Sequence, residues 1–185
     1  MRIDQLKKNY DIKIRWTAFP LHPETPDDGL TLEELFAGQP IDIKKAMSRL
    51  RQVAGELGLS LGERKKTYNS RLAQELAKWA ESEGKGDPFH EAVFRAYFVD
   101  GKNIGRADEL VVLAKSICLP EKKARSVLEL RTFKEAVESD WSRSHALGIT
   151  GVPTFVVDQQ TTVGFQPYEE LEQFLKTCGI KRLNP

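Results

Sequence analysis

Apolar residues recur at three- and four-residue steps through most of this chain, and at two-residue steps only near its ends. The helical period runs from about residue 31 to 147. Ile43, Met47, Leu50, Ala54 and Leu57 share one face, and Asp42 stands where an N-cap belongs. Leu72 and Leu76 mark a second helix, for which Ser70 is a candidate cap. Asp87-Pro88 reads as a cap followed by a first-turn proline, opening a helix with Phe89, Val93, Ala96 and Tyr97 inward. Leu110, Leu113, Ala114 and Ile117 form a further stripe. Pro120 starts a short helix through Leu128, and Phe133, Val137, Trp141 and Ser144 lead to a helix that Gly148 ends.

The ends carry the other period. Residues 11–16 alternate polar and apolar, the pattern of a half-buried strand, before Phe19-Pro20-Leu21-His22-Pro23 and Pro26-Asp27-Asp28-Gly29 break it. Residues 154–157 and 161–163 are two short strands, and the three residues between them suit a hairpin. A last amphipathic helix covers 168–178. The chain therefore predicts an α/β platform built from both ends, residues 1–26 and 149–185, split by an all-helical insertion at 27–148.

With 185 residues, 40% hydrophobic and 30% charged, the chain is long enough for one domain with a sizeable core. A formal net charge of +1 gives no electrostatic footprint for nucleic acid or an anionic membrane. No apolar run approaches a membrane-spanning length, and residues 1–10 lack the apolar stretch of a signal peptide. The expectation is a cytoplasmic protein that binds neither nucleic acid nor membrane.

The chemistry-bearing residues are sparse. Two cysteines, Cys118 and Cys178, make no disulfide framework, and both read as small buried hydrophobes. Cys118 stands at a helix end where glycine is usual. His22, His90 and His145 lack metal-ligand spacing, and neither a phosphate loop nor a nucleophile elbow occurs. No metal, cofactor or catalytic residue is expected from these residues.

Gly151-Val152-Pro153-Thr154-Phe155 is the most informative stretch. A proline between a helix end and a strand is either a cis-Pro in a tight turn or a trans-Pro in an ordinary connection, and five residues do not choose between them. In the first case the N–H and C=O of Val152 are free to pair with an extended ligand.

The ordered set of motifs resembles the DsbA superfamily, a thioredoxin-like fold split by a large helical insertion, and within it the FrnE-like branch. The resemblance rests on residues 16–23 (Trp-Thr-Ala-Phe-Pro-Leu-His-Pro), Asn69-Ser70-Arg71-Leu72-Ala73, residues 89–98, Ala146-Leu147-Gly148-Ile149-Thr150 and the Gly-Val-Pro that follows. It implies protein-disulfide oxidation, reduction or isomerisation, with protein or peptide thiols and disulfides as partners. It also implies a cis Val152–Pro153 bond and a substrate site at Gly151, Val152, Pro153 and Thr154. Asn69 is either a helix-cap neighbour or a residue facing the same groove.

One part of the pattern is missing. The family carries Cys-x-x-Cys at the start of its first helix, where the helix N-terminus activates the thiol. Residues 2–8 are similar to the latter part of that helix, so the chain is expected to start beyond the first strand and the cysteines. In the resembled fold that strand lies between 12–16 and 154–157, and without it a gap of roughly 9–10 Å is expected. An open edge could also recruit a second copy, giving a homodimer. Two rivals share the resemblance. One is a glutathione-dependent isomerase or transferase of the kappa type, and the other is a peptide-binding module without catalysis.

Overall fold

The computed structural model describes residues 2–183. In chain order these form α1 (Arg2–Asn9), β1 (Leu30–Thr31), α2 (Leu32–Leu35), α3 (Ile43–Glu56), β2 (Lys66–Thr67), α4 (Arg71–Ser82), α5 (Gly86–Phe98), α6 (Ala107–Ser116), α7 (Glu121–Glu129), α8 (Lys134–Ala146), β3 (Thr154–Val157), β4 (Gln160–Val163) and α9 (Tyr168–Thr177). Residues 1–21 with 139–185 make one compact unit, and residues 22–138 make the other.

The helical unit is centred on α4 to α7. Leu76, Trp79, Phe89, Leu110, Ala114 and Ala124 are buried together, each from the apolar stripe of its own helix. Fully burying a side chain of Leu or Phe size is worth about 1.5–3 kcal/mol, so these stripes hold the helices together. Asp42 caps α3 as the sequence predicts, accepting the Lys45 N–H at 2.9 Å. The apolar face of α3 behaves differently from the others, because no residue of this helix is buried. Ser70 makes no side-chain cap on α4. Asn69 takes that role, its Oδ1 accepting the Arg71 N–H at 2.9 Å. The Asp87-Pro88 expectation is also displaced, since α5 already begins at Gly86. A small antiparallel pair, Leu30 with Thr67 and Thr31 with Lys66, interrupts the helical region. Its two-residue strands are too short to leave a period in the sequence.

In the other unit Leu6 of α1, Tyr10 just beyond it, and Leu171 and Leu175 of α9 are buried together, with Ile12, Phe155 and Val157 alongside. β3 and β4 form an antiparallel hairpin from Thr154↔Val163 to Val157↔Gln160. Its loop is two residues, Asp158 and Gln159, not the three expected, and Asp158 takes a φ of 55°. The strand expected at 12–16 is not formed. Burial does alternate there, Ile12 and Ile14 half-buried between exposed Asp11, Lys13 and Arg15, but no ladder joins it to β3. The segment is held instead by Asp140 of α8, whose buried carboxylate accepts from Arg15 Nη2 at 3.0 Å and from the Ala18 N–H at 2.9 Å.

Candidate functional site

The candidate turn follows directly from the end of α8. Gly148, at φ +66°, lets the chain reverse, and the Gly148 and Ile149 N–H groups donate to the carbonyls of His145 and Ser144. The Val152–Pro153 bond beyond it is cis. Two hydrogen bonds brace the turn. Thr154 Oγ1 donates to the Gly151 carbonyl at 2.7 Å, and the Gly164 N–H donates to the Pro153 carbonyl at 2.8 Å. Gly151, Val152, Pro153 and Thr154 thus form one braced feature at the mouth of the hairpin.

Val152 is the exposed member of that turn, with 49% of its surface accessible. Among the described residues its N–H and C=O have no hydrogen-bond partner. Apolar surface continues from it along the chain. Val163 pairs with Thr154 across the hairpin, and Val163 and Phe165 are both more than half exposed. The Arg2 guanidinium lies over the Phe165 ring at 4.1 Å and donates to the Gln166 carbonyl at 2.7 Å, which fixes one edge of this surface. An exposed, unpaired backbone pair beside an apolar strip suits an extended peptide better than a small polar solute.

Asn69 belongs to the helical unit, apart from the braced turn in the chain's division. Its Nδ2 donates to the carbonyls of Pro23 and Thr25 at 3.0 and 2.9 Å, while its Oδ1 caps α4. This side chain pins the loop at 23–25 to the start of α4.

The cysteines differ from expectation in burial. Both were expected inside, yet Cys118 is exposed and Cys178 half-buried, and both thiols are free. Cys118 follows α6 at φ +65°, in the left-handed position that favours glycine, and its side chain is exposed there. Cys178 closes α9, with Sγ 3.5 Å from Gln160 Oε1. Burial, then the Asp158 carboxylate, push its thiol pKa above the usual value. Both cysteines lie at helix C-terminal ends, where the macrodipole opposes a thiolate.

Burial pushes the His90 imidazole pKa down, against the pull of Asp87. His90 lines an apolar cavity of about 240 Å³ between α4 and α5, together with Ala73, Ala77, Val93, Phe94 and Phe98. Sequence reasoning missed this cavity, because the inward stripe of α5 also supplies its walls. Among the described residues no group of three or more His, Cys, Asp or Glu is placed to hold a metal. None of the described helices is long and apolar enough to cross a membrane.

The profile of the family described as the DSBA-like thioredoxin domain matches residues 1–176. A Bacillus subtilis (strain 168) protein, named only as uncharacterized protein YwbO, is 26% identical over 160 residues, covering 85% of this chain and 78% of that protein. The crystal structure of a probable DsbA oxidoreductase from Streptomyces coelicolor superposes with a TM-score of 0.87 at 24% identity, over 96% of this chain and 82% of that one. A 2-hydroxychromene-2-carboxylate isomerase superposes with a TM-score of 0.74 at 17% identity, over 96% and 85% of the two chains. At these identities the two structures speak for the shared fold.

Proposed function

The chain belongs to the DSBA-like thioredoxin domain family, and from that premise we propose that it is the substrate-holding body of a FrnE-like thiol–disulfide protein. The reading includes a single domain, with platform segments 1–26 and 149–185 and a helical insertion at 27–148. Its partner is an extended peptide carrying a thiol or disulfide. The observation that carries it is the half-exposed Val152, with both backbone groups unpaired in a turn braced by Thr154 and Gly164. One residue of the peptide receives the Val152 N–H on its carbonyl and returns its own N–H to the Val152 carbonyl. Each such bond is worth about 0.5–1.5 kcal/mol net, so binding is weak unless side chains also cover Val163 and Phe165. That weakness suits a site that must release each product. The exchange step is assigned to neither Cys118 nor Cys178, because each lies at the wrong end of its helix.

Amide-resolved NMR titration with a short disulfide-bearing peptide tests this reading. The expected result is perturbation centred on Val152 and Thr154. Perturbation absent there at millimolar peptide would overturn it. Glutathione provides a second arm, since it is itself a short thiol peptide. Markedly tighter binding of glutathione than of the cystine peptide would favour the kappa-type reading.

A further inference from the structure

The apolar cavity between α4 and α5 has all its walls within residues 70–104 of the helical unit, and none of them belongs to the Val152 turn. One side is a row of rings. His90, Phe94 and Phe98 follow one another at four-residue steps on α5, with neighbouring centroids 4.6 and 5.3 Å apart. Two such steps of an α-helix advance about 12 Å, which sets the length of the row. From α4, Ala73 and Ala77 line the same cavity, and their short side chains leave the space open.

A cation stands at one end of that row. The Arg64 guanidinium lies 4.7 Å from the Tyr97 ring centroid and 5.6 Å from that of Phe98, and both rings belong to the cavity wall. Tyr97 is held in place by a 2.7 Å hydrogen bond between its hydroxyl and Thr67 Oγ1. Arg64 is half-buried, yet among the described residues no carboxylate pairs with it. A guanidinium drawn out of water ordinarily has such a partner. The polar residues of the α4 wall are engaged with each other, Gln74 Nε2 donating to Ser70 Oγ at 3.2 Å. At the other end of the row the Asp87 carboxylate is close enough to act on His90, so the field there is unfavourable to an anion.

We propose that this cavity binds a linear monocarboxylate, a saturated chain of about eight to ten carbons matched to a row of about 12 Å, with its carboxylate on Arg64. The chain lies along His90, Phe94 and Phe98 and against Ala73 and Ala77. Charge fixes its direction, since Arg64 attracts the carboxylate to one end of the row and Asp87 repels it from the other. Size selects a chain over a single ring. A cavity of roughly 150 Å³ takes one benzene, and this one measures about 240 Å³. The site is independent of peptide holding at Val152, with which it shares no residue.

The test titrates the full chain with butanoate, hexanoate, octanoate and decanoate, read by calorimetry and by amide chemical shifts. Each added methylene is expected to tighten binding about fourfold, the worth of burying one CH2 group, until the chain fills the cavity near decanoate. Shifts are expected within residues 70–77 and 89–98. Octanol, which has the same length without the charge, is expected to bind at least tenfold more weakly than octanoate. Arg64→Gln is expected to weaken octanoate by a similar factor and to erase its advantage over octanol. Ala77→Phe fills the cavity while leaving Arg64 in place, and is expected to abolish octanoate binding. No binding at millimolar octanoate, affinity independent of chain length, or octanol binding as well as octanoate would each overturn the proposal. So would unchanged binding in Ala77→Phe, or shifts centred on Val152.

Discussion

Glu75 and Arg131 meet through two hydrogen bonds, Arg131 Nε to Oε2 at 2.7 Å and Nη2 to Oε1 at 2.6 Å. Arg71 Nε adds a third at 2.6 Å, and the carboxylate they share is buried. Burial pushes the Glu75 pKa up, but Arg131 and then Arg71 outweigh it and hold the carboxyl below its ordinary value. A lowered folded-state pKa contributes stability that is present above the unfolded value, about 4.3, and lost as pH falls through the folded one. Urea titrations between pH 3 and 7 should show that loss in the wild type. Glu75→Gln should be destabilised at pH 7 by about 3–5 kcal/mol, because it leaves Arg131 and Arg71 without their charge partner. Its stability should fall less on acidification, and an equal fall in both proteins would refute the linkage.

Asp140 ties residues 15–18 to α8, a role a strand partner would otherwise fill. Asp140→Ala should cost about 1–3 kcal/mol, since it strips the acceptor from the Ala18 N–H. Hydrogen exchange at Ala18 is the direct readout. Unchanged exchange there would mean that another group holds this segment in place.

That segment also marks the limit of what the sequence tells. Helices α3 to α9 were legible because each repeats its apolar residues every three or four positions, and a cap such as Asp42 marks the start of α3. The alternation at 11–16 is equally clear and does appear as alternating burial, but alternation specifies faces, not a ladder. A strand needs an unpaired neighbour at about 4.8 Å, and here a cavity separates the segment from β3. Cys118 differed from expectation because Ile117 and Leu119 suggest an apolar site, whereas it stands exposed in the turn that ends α6. Five residues located the turn at 151–154 but left its proline cis or trans, and only the family resemblance pointed to the cis bond that the structure has. The partners of Asn69 were not, because they are carbonyls 44 and 46 positions away.

Cys118 stands where glycine would be unstrained. A side-chain residue in the left-handed region costs roughly 1–2 kcal/mol, part of which returns when the Cβ is removed. Cys118→Gly should therefore raise stability, by about 1 kcal/mol in a denaturant midpoint measurement. A fall in stability would mean that the exposed thiol makes contacts that offset the strain.

The two thiols should also separate in reactivity, and neither should sustain turnover. Alkylation follows the thiolate fraction and access. Cys118 is exposed, whereas Cys178 is half-buried and its pKa is raised by burial and by Asp158. Limited iodoacetamide treatment followed by peptide mass mapping should therefore label Cys118 first. An insulin-reduction assay asks for more than one reachable thiol. It needs a thiolate favoured by a helix N-terminus and a second thiol positioned to resolve the mixed disulfide. Cys118 follows the C-terminal end of α6 and Cys178 closes α9, so each meets the pole that disfavours the anion. The 185-residue chain alone should remain near the uncatalysed rate with dithiothreitol as reductant. Robust turnover that disappears in Cys118→Ser or Cys178→Ser would show that one of these thiols is a working nucleophile, and the division between substrate holding and exchange would then be wrong.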